Sequence, residues 1–307
     1  MGKSWITAAL AAIVLAAASC APAATPTPTP WPTFTPLPTF TPSPVPPTPT
    51  PTEAGGETLT VLSDLDRTAL FVLRIGGGPP LVLVPGGPGD PDEGAAGVGP
   101  GYDHTIFRPE MDALSQDFTL IYYDGRGRGR SGRVAEPARF RLADDVADLE
   151  SIRAALGYAQ WTVLGWGYGA TVAQFYALQH PERVSQLVLL SPMPQRAAWD
   201  PDIPNPAAPP ARDWPANLAL ARAFLRNDGP DGRPGAARDY RAFLPDLRAE
   251  TLIVWAAGDP APLAAAQEAR DLIPGARLRV LWRGGLMPWL EDMPVLHATL
   301  CEFLRCL

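Results

Sequence analysis

The chain has 307 residues and a formal charge of -7, with 25 lysines and arginines against 32 aspartates and glutamates. That balance, in which Lys3 is the sole lysine, excludes a duplex-binding surface, which needs clustered cations. The 38 prolines are unevenly spread, so the first fifty or so residues cannot build a core, and the remaining 250 or so suit one ordinary domain.

Lys3, an apolar run over residues 5–18 and small residues before Cys20 follow the order of a secretory signal. The run falls short of the roughly 20 apolar residues that span a bilayer. The stretch LAAASC resembles the lipobox of bacterial lipoproteins, with Ala17 where leucine is usual. Residues 1–20 are therefore expected to be a signal peptide and Cys20 to be acylated on sulfur, anchoring the chain to a membrane outside the cytoplasm. Plain secretion and an uncleaved anchor are the alternatives.

Residues 21–56 read as a linker in which threonine alternates with proline from 25 to 52. Proline fixes φ and removes amide donors, so neither helix nor sheet ladder is expected here, and a solvated polyproline-II stalk remains. At about 3.1 Å per residue it reaches roughly 80–90 Å, a spacer for a cell envelope whose threonines suit O-glycosylation. Trp31, Phe34 and Phe40 are its candidate docking points for a partner.

From residue 57 the pattern becomes globular. TLTVL and ALFVLRI, separated by the turn residues of SDLDRT, predict an antiparallel pair. Short apolar runs then alternate with helical patterns: LVLV, FTLIYYD, WTVLG, QLVLL, TLIVWAAG and LRVLW. Continuous hydrophobic strands interleaved with helices predict a parallel sheet covered on both faces. Helices are expected over about 142–156, closed by Gly157, then 170–180, 262–272 and 293–305. Residues 192–250 break the alternation, being proline-rich with one expected helix over 217–226. They occupy the place of a lid.

Cys301 and Cys306 face an oxidising compartment as a pair. Five residues apart on one helix, they lie outside good disulfide geometry unless the last turn frays, so their bridging is left open. His104, His180 and His297 are scattered without ligand spacing, and no metal or other cofactor is expected. The glycine-rich stretch after residue 85 lacks G-K-[ST], which argues against a nucleotide loop. GRGRGRSG reads as an ordinary loop after the fourth expected strand rather than a nucleic-acid tract.

Five stretches in order resemble the α/β-hydrolase superfamily, and most of all its proline-iminopeptidase branch. They are PGGPG at 85–89, YYDGRGRGRSG at 122–132, the run from LADDV to LLSP at 142–192 that holds the helix, the VLGWGYGAT elbow and the following helix, IVWAAGDP at 253–260 and GGLMPWLED at 284–292. The resemblance covers residues 57–307 apart from the insert. It implies an α/β-hydrolase fold, a mostly parallel sheet with helices on both faces. It also implies a site in which a nucleophile, a base, an acid and amide donors to an oxyanion converge.

Residue by residue, that machinery is incomplete. Gly167 stands at the nucleophile position of G-x-S-x-G, and glycine has no side-chain atom to attack with. Tyr168 has the nearest hydroxyl but occupies the following position, pointing elsewhere. Leu286 stands where the family histidine falls and cannot accept a proton. Asp259 holds the acid position; with no histidine to orient, its expected role is as a capping or paired carboxylate, with Arg283 as the hypothesised partner. The backbone amides of Gly87 and Tyr168 correspond to the oxyanion donors, which side-chain changes do not remove. The larger helical cap of proline iminopeptidases, whose acidic residues bind the substrate's amino end, is replaced here by the proline-rich insert. Trp199 and Trp214 are candidates for its lining.

The expected protein is thus a lipid-anchored α/β-hydrolase domain that has lost catalysis and holds a small molecule or peptide in the former pocket. The competing reading is a working esterase or proline-iminopeptidase-like peptidase that uses unorthodox residues such as His104 or Ser131.

Overall fold

The computed structural model describes residues 48–50 by their backbone, and residues 55–86, 103–133, 141–192, 241–259 and 263–306 in full. Cys20 with its signal, most of the Thr/Pro tract with its aromatics, Gly87, and residues 193–240 with Trp199, Trp214 and the expected helix 217–226 lie outside them.

Nine strands are described: β1 Thr48–Thr50, β2 Glu57–Leu62, β3 Ala69–Ile75, β4 Pro80–Val84, β5 Thr119–Tyr123, β6 Trp161–Trp166, β7 Val184–Leu190, β8 Glu250–Ala256 and β9 Arg277–Leu281. They form one sheet in the order β1-β2-β3-β5-β4-β6-β7-β8-β9. The expected hairpin of β2 and β3 is antiparallel, and β3 meets β5 antiparallel. From β5 onward every neighbour is parallel. This is the α/β-hydrolase fold that the apolar runs and the motif order predict.

Parallel strands bury both faces, so each must be apolar along its whole length. All six residues of β6 and all five of β5 are buried. One face packs under helices α1 Leu142–Ala155, α2 Tyr168–Gln179 and α3 Leu263–Leu272 through Val146, Leu149, Ile152, Ala173, Tyr176 and Ala266. The opposite face packs under the one-turn α4 Pro288–Glu291 and α5 Met293–Leu304 through Trp289, Leu296, Leu300 and Phe303, joined by Phe107 and Leu114 from 3-10 turns.

One expectation needs correction, and one open question is answered. The Thr/Pro tract was expected to form no ladder, yet Thr48–Thr50 pairs antiparallel with β2, Pro49 opposite Leu59. An edge strand tolerates proline because only one of its sides has to supply ladder bonds. Cys301 and Cys306 are bridged, with a Cα–Cα separation of 4.8 Å. Fraying is what permits it: α5 stops at Leu304, Arg305 turns left-handed at φ 62°, and the amides of Arg305 and Cys306 both donate to the Cys301 carbonyl.

Candidate functional site

The C-terminal ends of the parallel strands share one edge of the sheet, where α/β folds place their ligands. β6 delivers Gly167 there. Its φ of 55° and ψ of -116° form the sharp strand-to-helix bend of a nucleophile elbow. The Gly167 amide donates to the Leu190 carbonyl at 3.0 Å, which ties the bend to β7.

The flanking glycines are required by close packing. A Cβ on Gly165 would lie 2.3 Å from the Gly169 carbonyl oxygen, and one on Gly169 would lie 2.1 Å from that of Val84. The bend is therefore built to the full constraints of an elbow while its central residue offers no side chain.

Tyr168 starts α2, and its hydroxyl donates to Asp145 Oδ2 at 2.6 Å. Asp145 also receives Arg128 Nη2 at 2.7 and 2.9 Å, and this pair is almost wholly buried. The phenol thus points toward α1, and its proton is committed to Asp145. The arrangement leaves the Tyr168 backbone at the first turn of a twelve-residue helix, where an amide lacks an intrahelical partner.

Leu286 is 3% exposed and belongs to the core on the α5 side of the sheet. Its carbonyl accepts the Trp166 indole N–H at 2.8 Å, which fastens it to the residue immediately before Gly167. Asp259 is 9% exposed, at the end of β8. Its loop is joined to the loop of Leu286 by the Gly258 amide, which donates to Gly284 at 3.0 Å. Gly167, Asp259 and Leu286 thus follow β6, β8 and β9 at that edge of the sheet. Arg283, the hypothesised partner of Asp259, is an exposed residue.

The unorthodox candidates have other duties. The Ser131 hydroxyl donates to the Asp124 carbonyl at 2.6 Å and accepts the Phe71 amide at 2.8 Å, so its single proton is already committed. His104 is held by Asp124 Oδ1, which accepts its amide at 2.8 Å and lies 2.7 Å from its Nδ1. Asp124 follows β5, and β4 separates β5 from β6. The imidazole is thereby tied to the loop that follows β5.

Sequence reasoning missed Ser191. It follows β7 in register beside Gly167, since Trp166 pairs with Leu190. It is 2% exposed, carries a left-handed φ of 49°, and its hydroxyl has no hydrogen-bond partner among the described residues. Both the positive φ on a serine and the leftover buried hydroxyl are costs that core packing alone does not require. Serine after an apolar strand gives no local sign of a positive φ, so the sequence held no signal for it.

Residues 79–232 match the family described as alpha/beta hydrolase fold. A proline iminopeptidase from Neisseria gonorrhoeae is 36% identical over 125 residues, 40% of this chain and 36% of that protein. One from Xylella fastidiosa is 33% identical over 148 residues, 47% of this chain and 41% of that protein. The alignments thus span about two fifths of these relatives' own length. The crystal structure of proline iminopeptidase from Mycobacterium smegmatis superposes with a TM-score of 0.65 at 18% identity, covering 81% of this chain and 97% of that one.

Proposed function

We propose that this chain, which belongs to the alpha/beta hydrolase fold family, is a binding member that no longer hydrolyses and that keeps the family pocket as a ligand site. The observation that carries this is Gly167: the bend retains the backbone shape that presents a nucleophile, and the atom it exists to present is gone. Acyl transfer needs an attacking oxygen and a base to take its proton, and Leu286 supplies no base. Loss of both positions together argues for a relaxed catalytic demand rather than one chance substitution.

Binding is supported by what remains. Backbone donors at the start of α2 survive side-chain change, and Ser191, on the strand beside the elbow, adds a buried hydroxyl with no hydrogen-bond partner among the described residues. Such a site suits a small molecule or peptide with a carbonyl or carboxylate end. The proposal extends to location: acylated Cys20 holds the domain to a cell envelope through the Thr/Pro stalk. Consistent labelling with an alkyne palmitate analogue, lost in Cys20→Ser, is the expected result for that part. Among the described residues no helix is long and apolar enough to cross a membrane.

The test of lost catalysis is direct. The purified chain, incubated with a fluorophosphonate probe, p-nitrophenyl esters and proline anilides, is expected to give neither labelling nor turnover. Stoichiometric labelling, or turnover abolished by one side-chain substitution, would overturn the proposal. In Gly167→Ser combined with Leu286→His, esterase activity is expected to appear if the acid and oxyanion donors are intact.

A further inference from the structure

The side chains of Asp117, His297, Cys301 and Cys306 converge at the end of α5, on parts of the fold that the pocket does not use. His297 and Cys301 are four residues apart on α5 and so share a face. The two ring nitrogens of His297 lie 3.9 and 3.8 Å from Cys301 Sγ, and Nε2 lies 3.7 Å from Asp117 Oδ2. Asp117 sits in the turn just before β5, and it, Cys301 and Cys306 place their ligand atoms within 4.8 Å of one another. All of these side chains are partly buried.

We propose that these four residues form a redox-gated zinc site, closed while Cys301 and Cys306 are bridged and open to metal when a dithiol reduces them. The donor set is two thiolates, an imidazole and a carboxylate. Softness of that kind selects zinc over magnesium or calcium, which take oxygen shells. The geometry agrees. Metal–ligand bonds of about 2.0–2.3 Å arranged tetrahedrally put neighbouring ligand atoms about 3.4–3.8 Å apart. The His297–Asp117 and His297–Cys301 separations already fall at that scale. What remains is for the two bonded sulfurs to part, and Cys306 lies beyond the left-handed Arg305, outside the last turn of α5, where its backbone is not held in the helix.

The chemistry balances in two steps. One thiolate of the dithiol attacks a sulfur of the bridge, and its second thiol resolves the mixed disulfide. The reductant leaves as a cyclic disulfide, and Cys301 and Cys306 take up two electrons and two protons. Zinc then binds both sulfurs as thiolates, releasing those two protons to solvent. A small-molecule disulfide reverses the step: it takes two electrons from the two thiolates and two protons from solvent and leaves as two thiols, and the re-formed bridge expels the metal. The expectation that the histidines lack ligand spacing overlooked this set because its members come from two separated stretches, and only His297, Cys301 and Cys306 are neighbours in sequence.

The full chain, and the same chain with Cys20→Ser, would be reduced with a phosphine, freed of reductant and titrated with Co(II). One Co(II) per chain is expected, with tetrahedral ligand-field bands and thiolate charge transfer, displaced by zinc; the unreduced chain should bind none. His297→Ala and Asp117→Asn should each lower zinc affinity by about tenfold or more in chelator competition, with circular dichroism confirming the fold. Equal binding before reduction, no binding after it, dependence on Cys20, or wild-type affinity in both variants would overturn the site. So would a reduced chain that unfolds and is not restored by zinc.

Discussion

Gly167 occupies a backbone conformation that L side chains rarely adopt, at φ 55° and ψ -116°. An amino acid with a Cβ held there carries strain on the order of 1–3 kcal/mol, a load an enzyme accepts in order to present its oxygen and a binding protein has no reason to keep. Gly167→Ala is therefore expected to destabilise the fold by about 1–3 kcal/mol, read as a lower urea midpoint with an unchanged m-value. An unchanged midpoint would mean that the bend relaxes without cost and that its shape is not imposed by the surrounding sheet. The neighbouring Tyr168 is fixed from outside the site, by Asp145 and its buried partner Arg128. Removing the carboxylate leaves the guanidinium buried without its counterion, so Asp145→Ala should cost about 3–5 kcal/mol. Tyr168→Phe, which deletes one donor and leaves the ion pair whole, should cost only about 1–3 kcal/mol. Chemical denaturation of the two variants side by side checks the ranking, and equal losses would show that the network does not depend on the charge.

The elements that were legible in the sequence are those whose physics is local. β5 and β6 are apolar at every position because both faces of the parallel sheet are covered. The glycines at 165 and 169 are fixed by backbone approach at distances no Cβ fits, so the elbow motif persisted after its chemistry changed. The nonlocal features were not legible. β1 exists because β2 offers it an edge, a fact that no property of the Thr/Pro tract encodes. The pairing of His104 with Asp124 joins residues twenty positions apart with no periodicity between them. The turn that lets Cys301 meet Cys306 is made by an arginine at positive φ, where sequence leads one to look for glycine. The bridge closes a loop of only six residues, so the chain entropy it removes from the unfolded state is small. Reducing it should cost about 2 kcal/mol, seen as a modest drop in urea midpoint with and without a phosphine in metal-free buffer. A loss several times larger would show that the bridge holds native structure beyond the end of α5.

At the level of the whole molecule, carboxylates shifted in opposite directions shape stability against pH, two of them in a network that fastens the loop after β5 to α1. Burial pushes the Asp148 carboxyl up to about 6 from an ordinary value near 3.8, and the bonds it receives from Arg126 and the Ser63 hydroxyl offset this only in part. Asp66, at the rim of the same network, behaves in the opposite way. Burial raises it, but bonds from the Thr68 hydroxyl and amide and from Arg126 outweigh that and hold it below its usual value. Glu150 is likewise lowered, its burial outweighed by bonds from Arg153 and the Tyr176 hydroxyl. The signs follow from proton uptake. Between about pH 4 and 6 the folded chain holds a proton on Asp148 that the unfolded chain has lost, so this group's contribution declines as pH rises through that window. Asp66 and Glu150 contribute above their unfolded values and are lost as pH falls. Above about pH 4.5 the contributions of Asp66 and Glu150 are already complete, so of these three groups only Asp148 acts from there to pH 6, and the wild-type unfolding free energy should fall as pH rises through that interval. Asp148→Asn abolishes the declining member, so the slope of unfolding free energy against pH should become more positive over that interval, by at most about 1.4 kcal/mol per pH unit. Urea titrations at half-unit steps measure the slope, and a carbon-13 titration of the wild-type carboxyls locates Asp148 directly. A midpoint for Asp148 below 4, or a slope that the substitution leaves unchanged, would mean that Arg126 holds the carboxylate charged throughout and that the profile is governed from the rim.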